Sequence, residues 1–440
     1  MSSLRALLAV VLCVALTLTG CGGPTLTRAG ERATGAELDY SGVQPAAEIS
    51  FWSNHPGGSI DTERKLVAEF TQQTGIKVNL VTAGANYEEV SQKFQAAQTS
   101  RSVGDVVVVS DVTWFPAFLN GSIIPLEPVL SALGIDTGGY RQALYDDYFY
   151  GGSHHAIPYA RSTPIFYYNK DHYRRAGLPD RPPATWDEAR DYARRLKEAG
   201  ISAAAIAFPP QDQYLGWTMS NLIWGFGGSW SDKWDMSAVA GEGTSNGLAF
   251  ARSAVDDGWA VVASGDPTTP FAAGVASQVI ASTGALRGIL KASKFDVGVG
   301  FLPGGPAEPT KVVPTGGAGL AIAAKASPEK HLAAAKFIAF MTNAANTATF
   351  SAATGYLPVQ TATDMAAVYT ATPQFKTAVE QLARARSQDY ARVFLPGGDR
   401  AISGTVQSIL TTRGGIPGAL DSLREQLQNL YRRDVESRLK

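Results

Sequence analysis

The apolar and polar residues that follow the first fifty positions alternate between the spacing of a strand and the spacing of a helix. Short strands are predicted at residues 49–52, 76–80 and 105–109, and the third is apolar at nearly every position, as a strand buried on both faces is. Helices are predicted between them, with apolar residues on one face at 66–70 and 87–97. This alternation predicts an α/β fold with a parallel sheet covered by helices on both faces.

Two helix starts farther along the chain carry clear capping signals. Thr185-Trp186-Asp187-Glu188 has the capping-box pattern, and the helix that it opens is expected to end near Gly200. Ser327-Pro328 predicts the start of another helix. Helices therefore continue to alternate with apolar strands far beyond the first sheet, which indicates more than one α/β unit.

The beginning of the chain has the pattern of a targeting segment. Arg5 precedes an apolar run at residues 6–20 that is too short to span a bilayer comfortably. The run ends in Leu18-Thr19-Gly20-Cys21, which resembles the bacterial lipobox. We therefore expect a signal peptide at 1–20, lipidation of Cys21 and a flexible tether at 21–47. The alternative is an ordinary secretory signal with a cysteine there by chance.

Composition and charge restrict the classes of function. The 440 residues carry a formal net charge of −1, and only 18% of them are charged, which argues against a protein that neutralises many phosphates of a nucleic acid. Of the two cysteines, Cys13 would leave with the signal peptide and Cys21 would carry lipid. No thiol then remains for a disulfide or a metal site.

Patterns typical of enzymes occur without the context that they need. Gly243-Thr244-Ser245-Asn246-Gly247 matches the nucleophile pattern of hydrolases, but no apolar strand precedes it, so Ser245 is interpreted as a helix cap. His154 and His155 have no third metal ligand nearby in the sequence. Phosphate-binding loops and paired zinc histidines are absent from the sequence. We therefore expect no enzyme activity, no metal and no cofactor.

Several motifs in the middle of the chain resemble the extracellular solute-binding family that supplies ABC importers. They are His155–Pro158, Phe166–Lys170, Ala176–Pro179, Thr185–Glu188, Gly316–Ile322 and Thr354–Val359. Two others, Phe51–Gly57 and Asp389–Arg400, are similar to actinobacterial lipoproteins of that family that bind glycerol 3-phosphate or glycerophosphodiesters.

The resemblance implies a two-lobed periplasmic-binding-protein fold of type II, with three crossing segments that act as a hinge. The crossings are expected near 158–163, 312–317 and 343–356. Lobe one would comprise 48–158 and 318–342, and lobe two 159–317 and 343–440. Permease subunits of an importer would be the protein partners, and the outer face of the cytoplasmic membrane would be the location.

Two charged residues are the first candidates for the ligand site. Asp111 directly follows a predicted parallel strand, and ligands of open α/β sheets bind beyond such strand ends; the alternative is a helix cap. Arg392 lies among apolar neighbours, where an unpaired guanidinium is costly, so its partner is either a carboxylate of the fold or a ligand phosphate.

The other candidates are aromatic, hydroxyl and glycine positions. Ser282 and Gly316 could present hydroxyl and backbone N–H groups to an anion, although Ser282 has the alternative of an ordinary cap. Trp217 and Tyr214 offer aromatic faces for a glycerol or quaternary ammonium group. The resemblance adds residues at a helix start and on the crossings, which are Tyr87, Ser162 and Tyr356; for Tyr87 the alternative is a core residue on the helix face.

These residues predict a small phosphate ester as the ligand. One arginine with neutral donors compensates the single charge of a diester better than the two charges of a monoester. We therefore expect a glycerophosphodiester to bind more tightly than glycerol 3-phosphate. The alternative is a carbohydrate, for which several carboxylates and stacked aromatic rings would be needed and an anion site would not.

Overall fold

A computed structural model describes residues 38–100 and 103–439 of the chain. The predicted signal peptide, Cys21 and most of the predicted tether lie outside these residues. Two five-stranded sheets, each covered by helices, form the framework. No helix within the described ranges is long and apolar enough to cross a membrane.

The first lobe follows the strand–helix alternation that the sequence predicts. Its strands are β1 (Glu48–Ser53), β2 (Lys77–Thr82), β3 (Val106–Ser110), β4 (Phe149–Tyr150), β5 (Ser153–His154) and β6 (Ile157–Ser162). Its helices before the first crossing are α1 (Ile60–Thr74), α2 (Tyr87–Ala97), α3 (Trp114–Leu119), α4 (Glu127–Ala132) and α5 (Gln142–Tyr145). Gly75 ends α1 in the left-handed conformation (φ +74°), which a residue without a Cβ atom adopts readily.

The second lobe is larger and has its own sheet. Its strands are β7 (Pro164–Asn169), β8 (Ile206–Phe208), β9 (Ala260–Val262), β10 (Gln278–Ser282), β11 (Val297–Gly300) and β12 (Val313–Pro314). Its helices before the second crossing are α6 (Lys170–Arg175), α7 (Trp186–Glu198), α8 (Leu215–Gly225), α9 (Glu242–Asp256), α10 (Thr268–Ala272) and α11 (Leu286–Ala292). Thr185 caps α7, because its Oγ1 accepts a hydrogen bond from the backbone N–H of Glu188.

The rest of the chain contributes strands and helices to both lobes. Strand β13 (Gly316–Ile322) and helices α12 (Pro328–Met341) and α13 (Ala344–Thr354) lie against the first lobe. The second lobe receives α14 (Ala366–Ala371), α15 (Gln374–Glu380), β14 (Ala385–Arg386), α16 (Tyr390–Val393), α17 (Gly398–Thr411) and α18 (Ile416–Asp434).

Both sheets are mixed rather than wholly parallel. The first has the order β2-β1-β3-β13-β6, in which β13 is antiparallel to both neighbours. The second has the order β11-β7-β10-β8-β9, in which β7 is antiparallel to β10 and β11. The predicted parallel arrangement holds for β1, β2 and β3, whereas strands that return from the other lobe enter in the opposite direction.

The chain passes between the sheets three times. Thr163 separates β6 from β7, Thr315 separates β12 from β13, and Gly355 follows α13 in the left-handed conformation (φ +91°). Leu357 then donates its backbone N–H to Arg161 O over 2.8 Å, so the first and third crossings lie side by side. All three passages fall within the intervals that the sequence predicted.

The structure corrects several predicted boundaries. Residues 159–162 and 316–317 were predicted in lobe two, but they belong to β6 and β13, which pair in the first sheet. Residues 344–354 were also predicted in lobe two, whereas Phe350 packs in the core of lobe one. The predicted tether is too long at its end, because Tyr40 is buried and its hydroxyl is hydrogen-bonded to Nδ1 of His331.

Candidate functional site

A charged contact joins the two lobes where β3 ends. Asp111 follows β3 in lobe one, and its Oδ2 accepts a hydrogen bond from a terminal nitrogen of Arg392, on α16 of lobe two. The Gln388 side chain donates to the same oxygen over 3.0 Å. Asp111 is not a helix cap, since Thr113 precedes α3. Asp111 and Arg392 were both predicted as site residues, and the structure brings them together.

Arg392 has a carboxylate partner on each lobe. Its Nη1 donates to Oδ1 of Asp399 over 2.8 Å, and its Nε donates to Oε1 of Gln388 over 2.6 Å. Only 3% of the arginine is exposed, and its pKa is raised because the attraction of the two carboxylates exceeds the opposing effect of burial. Burial raises the pKa of Asp399, and Arg392 offsets part of that rise. Of the two partners that the sequence left open for Arg392, the carboxylate is present.

A second ion pair lies beside the first. Arg161, on β6, is fully buried, donates to the Asp147 carboxylate and also donates to the hydroxyl of Tyr148 over 2.7 Å. The Asp147 carboxylate accepts a further hydrogen bond from Thr315, on the second crossing, over 2.6 Å. Burial raises the pKa of Asp147, and Asp111 contributes a smaller rise. The Arg161–Asp147 pair therefore lies close enough to Asp111 and Arg392 for their charges to affect Asp147.

Two tyrosines meet at the third crossing. The hydroxyl groups of Tyr87, at the start of α2, and Tyr356 are 3.3 Å apart. Burial raises the pKa of Tyr87 well above its ordinary value and that of Tyr356 to about 12. Both phenols therefore remain neutral at neutral pH and can either donate or accept a hydrogen bond.

Trp217 lies beneath the second crossing. Its indole N–H donates to the carbonyl of Thr315 over 2.9 Å, and a Cβ atom added at Gly316 would lie 2.7 Å from the ring. The ring is 5% exposed, so it offers little open face for stacking. The Trp217 ring leaves no space for a Cβ atom at position 316, so the need for glycine there is explained without an anion.

Tyr214 provides the open aromatic face of this region. It precedes α8 with a left-handed backbone (φ +68°), is 55% exposed and contacts the Trp217 ring edge to face at 6.3 Å between centroids. A non-glycine residue in this conformation costs about 1–3 kcal/mol and is commonest at functional sites. The aromatic role predicted for both residues therefore suits Tyr214 better than Trp217.

Two predicted serines lie near the crossings. Ser162 is buried on β6 and pairs in register with Gly316. Ser282 ends β10, and its Oγ accepts a hydrogen bond from the backbone N–H of Gly284 over 3.1 Å. The alternative of an ordinary cap is thus realised for Ser282.

Several residues of the cleft were not predicted as members of the site. They are Asp147, Tyr148, Arg161, Thr315, Gln388 and Asp399, and each is bonded to a predicted residue or to a neighbour of one. Arg161 and Thr315 lie within the predicted crossings, and this position could have marked them as candidates for the site. No signal in the sequence pointed to Asp147, because its partner Arg161 is 14 residues away, on β6.

The remaining chemical motifs are accounted for locally. Ser245 lies inside α9 rather than at its start, so it does not cap the helix as predicted. His154 stacks on Tyr145 at 3.6 Å and is paired with Glu127. Within 38–100 and 103–439, no group of three histidine, cysteine or acidic side chains is placed to hold a metal ion.

Two α/β lobes, three crossings and a cleft lined by charged and phenolic groups define a binding protein that closes on a small ligand. Residues 65–377 match the bacterial extracellular solute-binding protein family, and the chain belongs to it. The fold of this protein is accordingly the type II periplasmic-binding-protein fold, as predicted.

The chain is also similar to several named proteins. A crystal structure of UgpB from Mycobacterium tuberculosis in complex with glycerophosphocholine has a TM-score of 0.84 and 41% identity, and the match covers 89% of this chain and 100% of that one. The sn-glycerol-3-phosphate-binding periplasmic protein UgpB of Pectobacterium atrosepticum is 26% identical over 435 residues, covering 91% of this chain and 95% of that protein. The GacH receptor of Streptomyces glaucescens shares the fold at 19% identity and a TM-score of 0.76, over 88% of this chain and 98% of that one.

Proposed function

We propose that this protein is the substrate-binding component of an ABC importer that captures glycerophosphodiesters, glycerophosphocholine first among them, and delivers them to a membrane permease. The observation that carries the proposal is the 41% identity, over 89% of the chain, with the M. tuberculosis protein crystallised with glycerophosphocholine. In this role it binds its ligand without chemical change and needs neither a metal nor a cofactor.

The charges of the cleft support a ligand without a large net charge. Three carboxylates, of Asp111, Asp147 and Asp399, face two guanidinium groups, of Arg161 and Arg392, which gives the cluster a formal charge of −1. Glycerophosphocholine is a zwitterion, so it adds no net charge to a closed cleft. Glycerol 3-phosphate would bring a charge of nearly −2 at neutral pH, which buried surroundings disfavour.

The side chains around the charged cluster match the phosphate, glycerol and quaternary ammonium groups of glycerophosphocholine. The two N–H groups of Arg392 that remain after its three hydrogen bonds would reach a phosphate oxygen, and the neutral phenols of Tyr87 and Tyr356 would bind glycerol hydroxyls. A quaternary ammonium group would lie against the exposed face of Tyr214, which is attractive by about 0.5–2 kcal/mol. The remaining wall of the binding site would be formed by residues on or near the crossings, which are Ser162, Ser282 and Gly316.

A carbohydrate is the second candidate ligand. One specific observation favours a carbohydrate. The carboxylates of Asp111 and Asp399 already neutralise the charge of Arg392. Cleft carboxylates accept hydrogen bonds from sugar hydroxyls, and an exposed tyrosine can stack on a sugar ring. The two candidates differ in whether the ligand must carry a phosphate.

Isothermal calorimetry with glycerophosphocholine, glycerol 3-phosphate, maltose and trehalose separates the candidates. We expect glycerophosphocholine to bind most tightly and the two sugars to give no heat of binding. Arg392→Lys should weaken glycerophosphocholine at least tenfold, because a lysine ammonium cannot keep the two carboxylate contacts and also supply the N–H groups proposed for the phosphate, whereas Arg413→Lys, at an exposed position, should leave its affinity unchanged. Binding of a sugar in the absence of any phosphodiester binding would contradict the proposal.

A further inference from the structure

The ring of Tyr356 contacts two glycines, one from each lobe. Gly57 follows β1 in lobe one, and Gly284 follows β10 in lobe two. A Cβ atom built on Gly57 would lie 2.9 Å from Cε2 of the ring, and one built on Gly284 would lie 2.9 Å from Cε1 and from Cζ. Carbon atoms in van der Waals contact are about 3.5–4.0 Å apart. The ring therefore occupies space that a side chain at either glycine would need, and we call this pair of glycines the glycine slot.

The side of the slot in lobe one is held firmly. His55, Gly57 and Gly58 all have left-handed backbone conformations, with φ values of 53°, 64° and 73°. The imidazole of His55 is bonded at Nδ1 to the buried Glu63 carboxylate and at Nε2 to Thr82 Oγ1 over 2.8 Å. Because His55 holds the start of this loop, Gly57 cannot easily move away from the Tyr356 ring.

The side of the slot in lobe two is attached to the crossings. The backbone N–H of Thr283 donates to the carbonyl of Thr163, on the first crossing, over 2.9 Å. A Cβ atom at Gly355, on the third crossing, would lie 2.8 Å from the Thr283 carbonyl oxygen. Gly284 therefore belongs to a segment that meets two crossings as well as the ring.

We propose that Gly57 and Gly284 determine how closely the two lobes approach each other, and that they thereby position the Tyr356 hydroxyl in the cleft. A methyl group at either position would displace the ring or separate the lobes, and either change would disturb the contact of Tyr356 with Tyr87. Both glycines act as positioning residues rather than as ligand contacts. The effect on affinity rests on the proposed function, whereas the effect on lobe separation does not.

Two substitutions with matched controls test the slot. Gly57→Ala is compared with Gly58→Ala, which has the same left-handed strain but no atom within 4 Å of the new methyl group. Gly284→Ala is compared with Gly288→Ala, on α11, where the space is also empty. We expect both slot variants to weaken glycerophosphocholine roughly tenfold relative to their controls.

Small-angle X-ray scattering of the unliganded protein gives a readout that needs no ligand. Both slot variants should show a larger radius of gyration than their controls, and the double variant Gly284→Ala with Tyr356→Leu should match Tyr356→Leu alone, because the ring that the methyl group meets is gone. Equal radii for slot variants and controls, or an increase that persists without the ring, would overturn the proposal. If the wild-type protein bound no phosphodiester, the proposed function would be refuted. The scattering comparison would still test the glycine slot, because it needs no ligand.

Discussion

Removing the guanidinium group of Arg392 would leave the carboxylates of Asp111 and Asp399 without their cationic partner. We expect Arg392→Ala to lower the free energy of unfolding by about 3 kcal/mol, because breaking a buried ion pair strands its partners. Arg413→Ala, at an exposed position, should change it by less than about 0.5 kcal/mol. Urea denaturation measures both. Adding Asp111→Asn should restore part of the loss, and an Arg392→Ala variant as stable as the wild type would contradict the expectation.

His155 should make the protein sensitive to acid. The imidazole is 4% exposed and stacks on Trp114 at 5.8 Å, and burial lowers its pKa to about 4. The unfolded chain binds the proton near pH 6.5 and the folded chain does so only near pH 4, so stability present above pH 6.5 is lost as the pH falls between these values.

We expect the contribution of His155 to fall by about 2 kcal/mol between pH 6.5 and pH 5. Urea denaturation of the wild type and of His155→Gln at the two pH values isolates it, because glutamine does not titrate. The difference in stability between the two proteins should shrink as the pH falls. A constant difference would mean that His155 is protonated equally in the folded and unfolded chains.

The sequence proposed individual candidates for the site but did not indicate the bonds between them. Asp111 could be recognised by its place after a buried strand, and Arg392 by its apolar neighbours. Their contact joins residues separated by 281 positions, and no local pattern encodes it. Tyr214 shows the same limit, since its exposed face depends on a left-handed backbone that the sequence does not indicate.

At the scale of elements, the capping box at Thr185 was a reliable signal, whereas the cap predicted at Ser245 was wrong. Thr185→Ala should lower the free energy of unfolding by about 1 kcal/mol, because the N–H of Glu188 at the start of α7 loses its acceptor. Thr185→Ser retains a hydroxyl and should cost less. Thermal denaturation measures the two losses, and ligand affinity should be unchanged because α7 lies outside the cleft. A larger loss for serine than for alanine would contradict the capping role.

The first three strands of lobe one were predicted to within a few residues and the two helices between them were placed correctly, because alternation of period two or 3.6 is local. The return strand β13 was harder to place. Its sequence, Gly316–Ile322, reads as an apolar strand, but its position between β3 and β6 depends on a chain that has already built the second lobe. The predicted boundaries at 158 and 317 were therefore wrong by a few residues.

At the scale of the whole molecule, the expected lipid anchor can be tested with the two cysteines of the chain. Cys21→Ala should prevent labelling with a fatty acid and move the protein from the membrane fraction to the soluble fraction. Cys13→Ala is the matched control and should remain labelled, because Cys13 would be removed with the signal peptide. Membrane fractionation with metabolic palmitate labelling gives both results. Continued anchoring of Cys21→Ala would contradict the lipobox interpretation.

In the part of the chain that the structure describes, residues 38–47 are attached to lobe one and not to lobe two. Tyr40 is bonded to His331, and Ala46 N–H to the carbonyl of Glu329, at the end of lobe one opposite Asp111, because β13 runs antiparallel to β3. With the lipid anchor that we expect at Cys21, the tether would therefore join the molecule through lobe one. Bending of the hinge would then change the distance from the tether to lobe two, while the distance to lobe one would stay the same.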